Sequence, residues 1–152
     1  MVLKQKEMET LKDLQTQEKN CIEKYTRYSE EAKDPNLKEL FKVIAKMEQK
    51  HYDKITNVID GGCDSCSCQS QQDEKYEAKT QYDAMSNSED KKNDAFLVTD
   101  CIGTEKLVSS EYNNDVFCFE NPKLRELLSE IQTQEQNHAK MLFQYKKASG
   151  MA

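Results

Sequence analysis

Apolar residues recur along the chain at steps of three and four in four separate stretches. The first stretch is Leu11, Leu14, Glu18, Cys21, Tyr25, Tyr28 and Ala32, and the second is Leu37, Phe41, Ile44, Glu48, His51, Ile55 and Val58. The third is Val98, Cys101, Glu105, Val108, Tyr112, Val116 and Phe119, and the fourth is Leu124, Leu128, Ile131, Glu135, His138, Leu142 and Tyr145. That spacing lines one face of an α-helix, with an acidic residue or a histidine set among the apolar ones. It predicts helices over about 4–33, 35–60, 88–120 and 122–148. At 1.5 Å per residue each helix is roughly 37–50 Å long, which suits a bundle. The breaks carry their own chemistry. At "DPN", Asp34 is an N-cap and Pro35 a first helical residue, and "NPK" repeats the device. At "DGG", Gly61 or Gly62 supplies a left-handed C-cap, and the fourth stretch ends at "SG". Residues 61–87 are polar and weakly patterned, with a short helix expected around 73–84.

The four stretches are two copies of one unit. Sliding the sequence by 138 − 51 = 87 positions aligns Glu18 with Glu105, Lys19 with Lys106, Tyr25 with Tyr112, Pro35 with Pro122 and Leu37 with Leu124. The same shift aligns Ile44 with Ile131, Glu48 with Glu135, Gln49 with Gln136 and His51 with His138, with no gap. A duplicated helix-loop-helix with short Pro-containing breaks predicts two antiparallel hairpins. The fold class expected is all-α: an antiparallel four-helix bundle of two repeated hairpins, joined by a long crossover over 61–87, with residues 1–152 as a single domain.

Composition agrees and removes several function classes. Of 152 residues, 33% are charged and 36% hydrophobic, with four Gly and two Pro, as fits helices with a narrow apolar seam. The net charge is −6 and no Lys/Arg block stands out, so nucleic acid is not an expected partner. The opening "MVLKQKEMETLKD" lacks the apolar run of a secretory signal, and no stretch approaches the length of a membrane span. The expected location is therefore the cytoplasm, with no membrane partner.

The chemistry lies in what interrupts the apolar faces. Each of the two histidines has a Glu three residues before it and another 33 residues before it. Glu18, Glu48, Glu105 and Glu135 fall on or beside the seam. Four carboxylates meeting in a bundle core cannot stay ionised uncompensated, because burying an unpaired charge costs several kcal/mol. Two divalent cations would supply +4 against −4, and His51 and His138, as neutral imidazoles, would complete the ligand set. One Glu from each of two helices plus Glu-x-x-His from each of the other two is the recipe of carboxylate-bridged di-iron and di-manganese bundles. Iron or manganese would both suit such donors.

"EKNCIEKY" followed by "MEQKH", and "EKLVSSEY" followed by "QEQNH", resemble the ferritin-like proteins with the rubrerythrin type of ligand arrangement, over about residues 8–60 and 90–148. The second half, from "VTDCIGTEKLVSSEY" to "QEQNHAKMLFQY", resembles the Coat F family of spore coat proteins. These resemblances imply a ferritin-like bundle and an association with the spore coat and other coat proteins. They imply Glu48 and Glu135 as bridging ligands of two Fe or two Mn ions, Glu18 and Glu105 as terminal ligands, and His51 and His138 on one ion each. Tyr25 and Tyr112 would hydrogen-bond to the ligands from outside. The ferritin-like resemblance further implies a redox reaction with peroxide or dioxygen, fed by an external electron donor, with a homodimer left open, whereas the Coat F resemblance implies no known enzyme activity. The alternative reading is a non-catalytic structural coat component whose metal site only stabilises the fold. Iron storage in a cage is the weaker idea, since "SGMA" follows the fourth helix where ferritin cages have a short fifth.

Of six cysteines, Cys63, Cys66 and Cys68 cluster as "CDSCSC". A rubredoxin iron centre needs two separated C-x-x-C pairs, and only one is present. The favoured reading is a Cys-rich loop of reduced thiols with no fixed site, thiol cross-linking in an assembled coat being the other. Cys21, one turn from Glu18, reads as a small buried hydrophobe.

Overall fold

A computed structural model describes residues 2–62 and 75–151. The chain folds into α1 (Gln5–Glu31), α2 (Pro35–Ile59), α3 (Glu89–Asp115) and α4 (Pro122–Ala148), with a 3-10 turn at Val116–Cys118 and no strand among the described residues. α1 packs along α2 and α3 along α4, and the two hairpins meet through α1 against α3 and α2 against α4.

The helix starts use the chemistry expected of them. Asp34 accepts from the Asn36 N–H at 2.9 Å and Asn121 from the Lys123 N–H at 2.9 Å, each with Pro in the following first position. Ser88 accepts from the Lys91 N–H, and Glu89 and Asp90 in the first turn face the positive end of the α3 dipole. α2 ends with Gly61 at φ +92° and α4 with Gly150 at φ +65°, the left-handed backbone that releases a chain from a helix.

Cross-helix pairs set the directions. Tyr28 bonds Asp100 at 2.7 Å, Tyr25 bonds Glu105 at 2.5 Å, and Lys4 meets Glu120 at 2.6 Å, so α1 and α3 run antiparallel. His51 lies 2.9 Å from Glu135 and His138 2.8 Å from Glu48, so α2 and α4 do too. α3 therefore starts beside the end of α1, at the opposite end of the bundle from the end of α2. The described end of the link between α2 and α3 is bound beside the start of α3. The Asp94 carboxylate accepts from the Lys33 and Asp34 N–H groups, both at 2.9 Å, and from the Tyr82 hydroxyl at 2.6 Å. Asp34 accepts from the Thr80 hydroxyl, the Gln81 N–H and the Tyr145 hydroxyl at 3.0, 3.2 and 2.6 Å.

Two expectations are corrected. The described part of the segment expected as a short helix, residues 75–84, contains no helix. Its polar groups bond to Asp34, Asp94 and Ser149 across the bundle end instead of closing a helical ladder. The third helix stops at Asp115 rather than near residue 120. The chain tightens into the 3-10 turn, which buries Phe119, and Arg125 caps the carbonyls of Phe119 and Glu120 at 3.1 and 2.6 Å.

The core is two apolar slabs. Leu11, Leu14, Ile55, Val58, Val108, Leu124 and Leu128 fill the half toward the start of α1. Leu37, Phe41, Ile44, Val98, Leu142 and Tyr145 fill the half toward its end. Between them lies a polar layer, where the four helix faces carry Glu and His in place of aliphatic side chains.

Candidate metal centre

All six side chains singled out by the repeat meet in that layer. Glu18 comes from α1, Glu48 and His51 from α2, Glu105 from α3, and Glu135 and His138 from α4. None is more than 1% exposed. Glu48 and His51 share a face because a helix brings positions three apart together, and the repeat sets the same pair on α4 facing them.

The donor atoms form two overlapping groups, Glu18/Glu48/His51/Glu135 and Glu48/Glu105/Glu135/His138, each with its atoms within 4.8 Å of one another. Glu48 and Glu135 belong to both. His51 Nδ1 lies 2.9 Å from Glu135, 3.5 Å from Glu48 and 3.7 Å from Glu18. His138 Nδ1 lies 2.8 Å from Glu48, 3.4 Å from Glu135 and 3.5 Å from Glu105. The rings stack at 5.7 Å between centroids, 18° from parallel.

His51 Nδ1 is hydrogen-bonded to Glu135 Oε1, but most of the other close approaches are not hydrogen bonds. Glu48 Oε1 and Oε2, Glu18 Oε2, Glu105 Oε2, Glu135 Oε2 and His138 Nδ1 are buried with no hydrogen-bond partner. His138 Nδ1 is close to Glu48 Oε1, yet neither is aligned for a bond. One oxygen each of Glu18, Glu105 and Glu135 is bonded, and the remaining carboxylate oxygens gather in the layer without a partner. Ligands on a small divalent ion at about 2.1 Å sit up to roughly 4.2 Å apart, and the 4.8 Å bound on each group lies slightly above that, within reach of small side-chain shifts. The donor set fits two such ions.

The electrostatics show the strain of the layer. Burial and then the Glu48 carboxylate push Glu18 up to about 8. Burial, then Glu105 and Glu48, hold Glu135 well above the carboxylate range. Burial alone would raise Glu48 too, but the Glu18 carboxyl and the His138 imidazole outweigh it and hold it well below. Burial would lower both imidazoles, and the surrounding carboxylates raise both well above the usual value. Without metal, protons must do the neutralising.

Tyr25 and Tyr112 are fully buried and reach the layer, but crosswise. The Tyr25 hydroxyl donates to Glu105 at 2.5 Å, and the Tyr112 hydroxyl donates to Glu18. Each tyrosine thus serves the other hairpin's carboxylate. Cys21 and Cys101 are free and buried, and burial raises both thiols, so they pack as neutral groups. Cys63, Cys66 and Cys68 lie outside the described residues. Sequence reasoning missed Gln134, whose Oε1 bonds His51 Nε2. The available signal was an amide three residues after Ile131 and four before His138, on a face that is otherwise core.

Fold and centre together define an all-α four-helix bundle with a buried cluster of four carboxylates and two imidazoles shared between its hairpins. Residues 93–152 match the family model of the Coat F domain, which spans most of α3 and all of α4. No curated protein and no solved structure matches the chain significantly. The matched segment holds Glu105, Tyr112, Glu135 and His138, while Glu18, Glu48 and His51 come from the half outside it.

Proposed function

We propose that the chain is a ferritin-like dinuclear metal protein, holding two iron or two manganese ions and reacting with peroxide or dioxygen in association with the spore coat. The observation that carries the reading is the buried layer of six donors that gather in two groups of four, five of the six with at least one unpartnered atom. Glu48 and Glu135, which belong to both groups, would be shared between the two ions, Glu18 and Glu105 would each serve one, and His51 and His138 would each offer Nδ1. The Coat F match supports the coat association and other coat proteins as partners.

When bound, the metal pair supplies electrons to the oxidant. The chain's own residues position and protect. Tyr25 and Tyr112 each orient one carboxylate by donating to it. The apolar slabs keep bulk water from the layer at both ends of the bundle. Dismutation of two peroxides to dioxygen and two waters balances by itself. Net reduction of one peroxide to two waters takes two electrons and two protons, and so needs an external donor.

The structural reading keeps one observation in its favour: every donor is at most 1% exposed, so no open path to the layer is visible. The test is metal analysis of protein produced with iron or manganese, followed by peroxide addition under absorption spectroscopy. About two ions per chain, lost in Glu48→Ala and Glu135→Ala, with peroxide consumed, supports the redox reading. Two ions with no peroxide loss supports the structural one. Metal content well below one ion, or unaltered in both variants, overturns the metal centre.

A further inference from the structure

The two imidazoles share one pattern of carboxylates but differ in what lies behind them. His51 Nε2 meets Gln134 Oε1. The Gln134 Nε2 group is turned to Glu130 at 3.4 Å, and Lys54 Nζ lies 3.5 Å from the same carboxylate oxygen. With its amide nitrogen toward Glu130, Gln134 presents a carbonyl oxygen to the ring. That acceptor holds the ring proton on Nε2, so Nδ1, which lies 2.9 Å from Glu135 Oε1, is the nitrogen left to turn to a metal once its own proton is displaced.

The internal repeat provides the control. Moving 87 residues, the positions of Gln134, Glu130 and Lys54 are occupied by Met47, Val43 and Met141. The polar residues behind His51 thus have apolar counterparts in the repeat. Met47 and Met141 pack in the apolar slab, and His138 Nε2 is buried with no hydrogen-bond partner. For His138 to offer Nδ1 as a ligand, its Nε2–H must stay buried without an acceptor.

We infer that the two metal positions are unequal: the Glu18/His51 position binds first and tightly, and the Glu105/His138 position binds second and more weakly. Gln134 is the positioning residue that makes the difference. This rests on the metal reading above and adds an order of filling to it. Loss of the partner that orients a ligating histidine typically weakens metal affinity about 10–100-fold, which sets the expected separation.

The experiment is an anaerobic titration of the metal-free chain with Mn2+, followed by electron paramagnetic resonance, for the natural sequence, Gln134→Met and Met47→Gln. Two steps separated by about 10–100-fold are expected for the natural sequence. In Gln134→Met the first step weakens by that factor and the steps merge. In Met47→Gln the second step tightens. Equal steps in the natural sequence, or equal weakening of both steps in Gln134→Met, overturn the ordering. Where Gln134→Met does not fold, Met47→Gln decides alone, and an unchanged second step overturns the ordering. Failure to take up any Mn2+ overturns the metal reading itself and the ordering with it.

Discussion

Replacing Asp34 by Ala would remove the residue that ties the crossover to the bundle. Asp34 is fully buried. It caps α2 through the Asn36 N–H, accepts from the Asn36 side chain at 2.9 Å, and receives Thr80, Gln81 and the buried Tyr145 hydroxyl. Loss of an N-cap costs about 1 kcal/mol, and a buried hydroxyl left without its acceptor about 1–3 more. Thr80 and Gln81 are only partly buried and recover some bonding from water. The expected total is about 2–4 kcal/mol, or roughly 4–16 °C in Tm for a chain of this size. The effect depends on pH. Burial would raise the Asp34 carboxyl, but the Tyr145, Asn36 and Gln81 donors outweigh it and hold it below its ordinary value. A lowered carboxyl contributes stability above the unfolded value of about 3.9 and loses it as pH falls through the folded one. The gap between natural chain and variant should therefore be flat from neutral pH to about 5 and close below about 4. Urea denaturation of metal-free protein across pH 3–7 measures it. A cost under about 1 kcal/mol at neutral pH, or a gap unchanged down to pH 3, would refute the assignment of Asp34 as a charged, bonded anchor.

Other outcomes follow from the same structure. Metal at about 100 times its dissociation constant should add roughly 2.7 kcal/mol to the natural chain, read as a higher Tm, and nothing to Glu48→Ala or Glu135→Ala. Tyr112→Phe should weaken binding beside Glu18, and Tyr25→Phe beside Glu105, each by about 10-fold in a metal titration; effects on the tyrosine's own hairpin would contradict the crossed contacts. Gly150→Ala should lower stability more than Gly61→Ala. Both glycines have positive φ, but a Cβ at Gly150 would lie 2.3 Å from the Ala84 carbonyl oxygen, whereas one at Gly61 meets open space. Thermal melts should show about 1 kcal/mol for Gly61 and clearly more for Gly150, and equal losses would contradict the close approach of the crossover.

Much of the fold was legible because the information is local. Helical period, Asp34 and Pro35, Asn121 and Pro122, and Gly61 act within a few residues, so helix starts match to within a residue or so. The six polar residues on the seam were legible for a further reason. A gapless repeat copies geometry as well as identity, so Glu18 and Glu105, or His51 and His138, had to occupy equivalent places if the hairpins paired at all. The end of α3 was less legible, since Val116 and Phe119 continue the helical period while Phe119 and Arg125 close a turn through contacts made only after the hairpin forms.

Sequence by itself determined the four helices, the two-hairpin plan and the six residues that share one layer, because each follows from periodicity along a single chain. Tertiary structure decided the rest, because it concerns contacts between helices whose rotation and facing partners no local pattern specifies. It crossed the tyrosines to the opposite hairpin, made the described part of the expected 73–84 helix a strap held by Asp34 and Asp94, and set Gln134 behind one histidine while leaving Nε2 of the other without a partner. Duplication made the two halves alike in ligands, and only their packing makes them unlike in surroundings.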